Sequence, residues 1–484
     1  MASHPWLPVF YAALGFQLQL PELAATLFLL TDLRLEVATL AAFQATLVLP
    51  WCLKPVFGFV SDAWPLAGGR RRAPYVVLGN AALALTWTTL ARLSDPATAT
   101  PATVQTFLLV ASTLTCGIDV MYDSLLVEVA QHERSTEHGT RQARCWAARA
   151  AGALTAALVG GALLQVVTPR TVFALVACLS VGTALLAAGT LCVDERPNAN
   201  ANANVNARRR PTACGVQCRA VLRAFRTPSL WRPALFVFVF AATPSSGDAL
   251  FAFLVQDLHF SPSTLGLLGF VRHGAMLVGT GLFHRCFRFT PYRRYFTMVV
   301  VVSAVLGATP VVLVTHWNRA LGIPNVFFAA GDDLFLSVLG QVALMPCLVL
   351  AAKLCPRGIE ASLYASFVSV LNFAGLVSGY GGALLTHAFG VTRHDFTHLV
   401  PLVLTCTATS LVALAAVPLL PHGTVRDVVA VHEGARDGDG DDGDGDDGDD
   451  GDGEDEGVPL VPMTKSSTAT EPATEPATEP TATV

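Results

Sequence analysis

Asp119 and Asp123 stand four residues apart, a spacing that puts both carboxylates on one helix face. They fall inside an apolar run, where a charge at bilayer depth costs on the order of 3 kcal/mol or more and needs a partner, water or a function. Arg149, in the next apolar run, lies about as deep as Asp123 and is its expected salt-bridge partner. Asp119 is deeper and has no evident local partner, which leaves contact with a substrate or a coupling proton open beside a structural role. A second set lies in Thr243-Pro244-Ser245-Ser246-Gly247-Asp248, near the middle of the seventh run. Proline removes a backbone donor and glycine loosens the helix, so carbonyls and hydroxyls are freed there. Broken helices at the midplane are typical transporter binding elements; the plainer alternative is a proline kink satisfied by neighbouring helices. Arg272, at similar depth in the eighth run, is either the partner of Asp248 or an anchor for a ligand carboxylate, which its planar fork matches. Gln341 and Asn372 offer neutral hydrogen bonds to a ligand and serve equally well as helix–helix glue. Gln17, Gln19 and Glu22 make the first run polar along its outer half, as the wall of a water-facing cavity would be.

These groups suit reversible binding of a polar solute within a membrane better than bond-breaking chemistry. Glu128, His132 and Glu133 depart from the H-E-x-x-H zinc pattern. No nucleophile and base stand together near a helix end, so neither catalytic residues, a metal nor a cofactor is expected. Most cysteines, such as Cys116, Cys178 and Cys406, sit inside apolar runs and read as small packed hydrophobes. Cys214 and Cys218 are a lone pair, too little for zinc.

The elements that must position these residues are membrane helices. Only 14% of the chain is charged, and apolar stretches recur over roughly 6–30, 37–60, 73–93, 104–129, 146–167, 171–192, 233–255, 264–284, 295–315, 333–353, 362–388 and 398–418. A hydrocarbon core about 30 Å thick needs about 20 apolar residues per helix, and only closed hydrogen-bonding structures cross it. The fold expected is therefore an all-α polytopic bundle of twelve helices in two six-helix halves, residues 1–192 and 232–421. Residues 193–231 form the loop between the halves, with an Asn-Ala repeat and a basic run, and residues 422–484 an acidic Asp-Gly and Ala-Thr-Glu-Pro tail. The Asn-Ala repeat has no apolar periodicity and reads as a flexible linker, while the tail cannot bury a core and is expected to be disordered. Basic residues crowd alternate loops, including Arg70, Arg71, Arg72, Arg141, Arg144, Arg208, Arg209 and Arg210. Both termini and the central loop are thus expected on the cytoplasmic or stromal side. The first apolar run begins almost at Met1, leaving no evident cleavable segment ahead of it. Gly160-Gly161-Ala162-Leu163-Leu164 in the fifth run and Gly381-Gly382-Ala383-Leu384-Leu385 in the eleventh fit an internal duplication.

Gly58 to Arg72 resembles the loop between helices 2 and 3 of the major facilitator superfamily, where Gly, Asp and a basic cluster recur. Pro50-Trp51-Cys52-Leu53-Lys54-Pro55, Gly58-Phe59, Ser61-Asp62, Pro65-Leu66 and Arg70-Arg71-Arg72 together resemble the folate–biopterin transporter family. Further matching stretches include Asp119-Val-Met-Tyr-Asp123 with Glu128, Ala242 to Asp248 with Phe260-Ser261-Pro262, Gly331-Asp332 with Val338 to Gln341, and Leu354-Cys355-Pro356 with Asn372. The resemblance spans both halves and excludes the tail and the Asn-Ala loop. It implies a carrier of folates or pterins working by alternating access; some relatives carry other solutes such as S-adenosylmethionine. It implies a small-molecule substrate and a lipid bilayer as partners, no nucleic acid, a monomer, and residence in a plasma membrane or plastid envelope. Lys54, Asp62, Arg70, Arg71 and Arg72 are then expected to form a cytoplasmic gate.

Overall fold

The computed structural model describes residues 5–64, 66, 72–130, 140–194, 223, 225–287, 290–353 and 360–420. Arg70, Arg71, most of the 193–231 loop and the tail from 421 onward lie outside the described residues, as does the side chain of Asp62.

Among the described residues, eleven helices are long and apolar enough to cross a membrane. In chain order they are α1 (Leu7–Asp32), α2 (Val37–Ser61), α3 (Ala73–Leu93), α4 (Pro101–Ala130), α5 (Thr140–Leu163) and α6 (Pro169–Gly189), then α8 (Pro262–Leu282), α9 (Tyr292–Val314), α10 (Asn325–Lys353), α11 (Glu360–Ala388) and α12 (Leu399–Leu419). The remaining crossing, α7, is made of two shorter apolar helices, Pro228–Ala241 and Gly247–Gln256. The expected twelve-helix bundle is thus present, six helices on either side of the central loop.

Several of these helices are interrupted, and two of the breaks fall at prolines that bear on the site. The α2 span is built from Val37–Leu47, Leu49–Cys52 and the helix Lys54–Ala63, which runs two residues past it. Pro55 has no amide hydrogen to close onto the carbonyl of Trp51, four residues earlier. That carbonyl instead accepts a 2.9 Å bond from the Asn372 side chain of α11. In α7 the break falls at Ala242–Ser246, as Pro244 and Gly247 suggest. There α11 supplies the missing bonds: Ser378 Oγ donates to the Thr243 carbonyl at 2.6 Å, and the Ser378 carbonyl accepts from the Ser245 amide at 3.4 Å. A Cβ on Gly382 would come 2.0 Å from the Ser245 carbonyl oxygen, so only glycine lets α11 lie this close to the break.

The halves meet along α2 against α11 and α5 against α8. In the α5–α8 seam a Cβ on Gly161 would lie 2.7 Å from Gly266 Cα and 2.8 Å from the Pro262 carbonyl oxygen. Polar clasps accompany both seams: Gln165 Nε2 donates to Ser263 Oγ at 2.5 Å, and the hydroxyls of Thr46 and Tyr380 are 2.8 Å apart. All four of these contacts belong to the ends of the bundle opposite the central loop.

Candidate functional site

Two polar centres occupy the bundle. The first lies wholly in the N-terminal half, between α1, α2, α4 and α5. Asp119 is fully buried and accepts from Lys54 Nζ and from an Arg149 terminal nitrogen at 2.8 Å. Asp123 accepts from the Tyr11 hydroxyl at 2.8 Å and lies 3.7 Å from Lys54 Nζ. Two carboxylates thus face two cations, and Lys54 also lies over the Trp51 ring, 5.2 Å from its centroid. This arrangement corrects three sequence expectations. Arg149 pairs with Asp119 rather than Asp123; Asp119 has two partners rather than none; and Lys54 reaches the buried cluster from just behind the α2 break. In a site of low dielectric this mutual neutralisation is what makes the charges tolerable.

Of the other residues expected at a gate, Arg72 is described. It is buried at the start of α3 and donates to Ser61 Oγ near the end of α2, while Ser61 Oγ bonds back to the Gly58 carbonyl at 2.9 Å. It ties two consecutive helices across their short connection.

The second centre is a cavity of about 440 Å³ between the halves, beside the α7 break. Gln19 and Glu22 of α1 and Gln44 of α2 line it from one half, and Ser245, Asp248 and Arg272 from the other. Helix α5 contributes only small side chains and backbone, at Ala156, Ala157 and Gly160. Asp248 and Arg272 share the cavity, but of the two readings open for Arg272 the direct pair with Asp248 is not the one the structure shows. Arg272 Nε donates to both carboxylate oxygens of Asp333 on α10, at 3.2 and 3.3 Å. Sequence reasoning had no role for Asp333, although the adjacent Asp332-Asp333 pair inside an apolar run was a visible signal.

The remaining candidates sort by contact. Gln341 Nε2 donates to Thr280 Oγ1 at 3.1 Å and so links α10 to α8. Asn372 is engaged with the Trp51 carbonyl. Both thus act as interhelical links in this conformation. Gln17 turns away from the cavity: its side chain is buried, with Nε2 3.1 Å from Asn80 Oδ1 and 3.3 Å from Ser180 Oγ, among α1, α3 and α6. The cavity therefore offers two carboxylates, a guanidinium with its terminal nitrogens clear of Asp333, and neutral amides and hydroxyls. That set can hold a planar, hydrogen-bonding organic solute by its edges. Among the described residues no group of His, Cys, Asp or Glu side chains is arranged to hold a metal ion.

Comparison with known proteins bears on this geometry. Residues 14–437 match the model of the BT1 family. The folate-biopterin transporter of Synechocystis sp. is 39% identical over 410 residues, covering 84% of this chain and 79% of that protein. Folate transporter 2 of Plasmodium falciparum is 26% identical, covering 79% and 81% respectively. Among solved structures, the nucleoside transporter NupG superposes with a TM-score of 0.61 at 16% identity, over 87% of this chain and 99% of that one. A D-xylose–proton symporter gives 0.57 at 12% identity, over 86% and 96%. These likenesses show that the fold is that of twelve-helix major-facilitator carriers.

Proposed function

The chain belongs to the BT1 family, and from that membership we propose that it is a secondary transporter of folate or a related pterin such as biopterin. The observation that carries this reading is the polar cavity between the halves, set against the broken α7 and lined by Glu22, Asp248 and Arg272. A pterin presents adjacent donors on its amino-pyrimidinone edge, which a carboxylate accepts side by side; Asp248 and Glu22 are the acceptors at hand. A folate adds glutamate carboxylates, which suit the terminal nitrogens of Arg272. Relatives named as folate-biopterin and folate transporters support the same cargo.

Transport proceeds by alternating access. The close approaches of α5 to α8 and the clasps at Gln165–Ser263 and Thr46–Tyr380 close one side. Rocking of the halves about the cavity opens that side and closes the other. Under the basic-loop orientation the closed side is the non-cytoplasmic one, and both termini are cytoplasmic or stromal. The protein works as a monomer in a plasma membrane or plastid envelope, moves its substrate unaltered, and couples the movement to protons through its intramembrane carboxylates. The test is uptake of radiolabelled folate, biopterin and S-adenosylmethionine into vesicles containing the purified chain, with chemical recovery of the cargo. Concentrative uptake of unaltered folate or biopterin is expected. Uptake of S-adenosylmethionine alone would move the assignment to another organic solute, and chemical alteration of the cargo would make the protein an enzyme.

A further inference from the structure

Inside the cavity the charges do not balance. Arg272 is bonded to Asp333 and lies within electrostatic reach of Glu22, so among the described residues this one cation stands against three carboxylates, Glu22, Asp248 and Asp333, and two negative charges are left over. The charged groups packed around Asp248 are few. Glu22 faces it from α1 and Arg272 from α8; α2 brings only the neutral Gln44, and α5 no ionisable group. Asp257 and His316, 3.9 Å apart, lie at the far end of the second α7 segment and pair with each other. The ion cluster at Lys54, Asp119, Arg149 and Asp123 is self-neutralised within the other half and lines no part of this cavity. Two ionised carboxylates lining one chamber between moving halves repel each other and any anionic cargo.

Resting on the transport reading above, we propose that Glu22 and Asp248 are the proton-carrying pair, and that the charge of the cargo sets how many protons travel with it. A folate brings two carboxylates. It can occupy the chamber without adding to its negative charge only when both acidic side chains are neutral. Each side chain takes a proton from the aqueous phase on the loading side, forming a carboxyl O–H, and releases it on the far side once the folate has left. The chamber that rocks then carries the two negative charges of the folate dianion, the same charge as the empty chamber with both side chains ionised, since Arg272 with Asp333 sums to zero. A biopterin has no carboxylate and donates hydrogen bonds from its ring edge. It is bound best with at least one of the pair still ionised, because an ionised acceptor makes the stronger bond. Glu22 comes from the N-terminal half and Asp248 from the C-terminal half, so the protonation state of both halves is read at one place.

The experiment uses the purified full chain, first in detergent and then in proteoliposomes. In weakly buffered solution with a pH indicator, folate binding to the native protein should take up about two protons per folate near neutral pH, and biopterin binding at least one fewer, by linkage. Glu22→Gln and Asp248→Asn should each lower the folate value by about one, and the double variant should bring it close to zero. In proteoliposomes the initial rate of folate uptake should rise as the outside pH falls, with a steeper slope than biopterin uptake, and the difference should vanish in the double variant. Glu22→Asp, which keeps the carboxylate, should keep the native proton number. Equal proton numbers for folate and biopterin in the native protein overturn the proposal with no need of a variant. Unchanged numbers in well-folded Glu22→Gln and Asp248→Asn overturn it as well. Failure of the native protein to bind either cargo is a different result, since it removes the folate and pterin reading itself and this proposal with it.

Discussion

Asn372 should matter for a reason particular to one proline. Its side-chain amide donates to the Trp51 carbonyl, and Pro55 leaves that carbonyl without its helical donor. Asn372→Leu keeps the volume and removes the donor. An unsatisfied half-buried carbonyl costs about 1–3 kcal/mol, while interhelical hydrogen bonds in membranes average about 0.6 and reach about 1.7 kcal/mol. A loss near 1 kcal/mol is therefore expected, and it falls on the conformer in which α2 and α11 touch. If the bond is absent in the alternative conformer, that loss shifts the equilibrium about fivefold toward the latter. Spin labels at Asp95 and Arg319, in opposite halves and at the ends away from the central loop, would report the two populations as separate distance peaks. Pro55→Ala supplies the decisive control, because it restores an amide that can close onto the same carbonyl. In the Pro55→Ala background, Asn372→Leu should move the populations far less than in the native background. An equal shift in both backgrounds would refute the idea that Asn372 replaces a missing backbone donor.

Two further outcomes follow from the geometry. Asp119→Asn leaves Lys54 and Arg149 with Asp123 alone, a loss of about 3–5 kcal/mol for breaking a buried pair, so the yield and thermal stability of extracted protein should fall; Asp119→Asn with Lys54→Met restores the charge balance and should recover most of both. A double variant no more stable than Asp119→Asn would show that charge neutrality is not what the cluster maintains. Gly161→Leu should leave cargo binding in place but block uptake, because its side chain would meet the backbone of Gly266 and Pro262; the spin-label distances should then shift to the open arrangement at that end, and normal uptake would show that the α5–α8 contact is not part of the cycle.

The number of crossings and the break in α7 were legible because each depends on a local run of residues. Apolar length alone marks a helix that spans the bilayer, and Pro244 followed by Gly247 puts a missing donor and a loosened backbone within one turn of the same helix. Ion partners were not legible. Asp119 and Asp123 differ in depth by one helical turn, about 6 Å, which is within the error of placing α5 against α4 from sequence. Arg149 was accordingly assigned to the wrong one of the two. Lys54 is expected at a cytoplasmic gate, yet the breaks around Leu53 and the length of its own side chain bring it to Asp119. Gln17 is a different case, since helix periodicity sets it about 140° around α1 from Glu22, whereas Gln19 is only about 60° away. Its absence from the cavity wall could have been deduced.

The division of charge between the two centres bears on how such a bundle can move. Lys54, Asp119, Asp123 and Arg149 all belong to the N-terminal half, and their contacts need not change when one half rocks against the other. A cluster of that kind ties α2, α4 and α5 into one body, with Tyr11 adding α1. The cavity is built in the opposite way. Glu22 comes from one half, while Asp248, Arg272 and Asp333 come from the other, so the cavity's electrostatic energy depends on how far apart the halves stand. Two ionised carboxylates across the gap favour separation. Protons, or a cargo donating to both, remove that repulsion and favour closure. The same side chains can therefore select the cargo and report its presence to the seams, because a ligand changes an equilibrium only through contacts that differ between its two states.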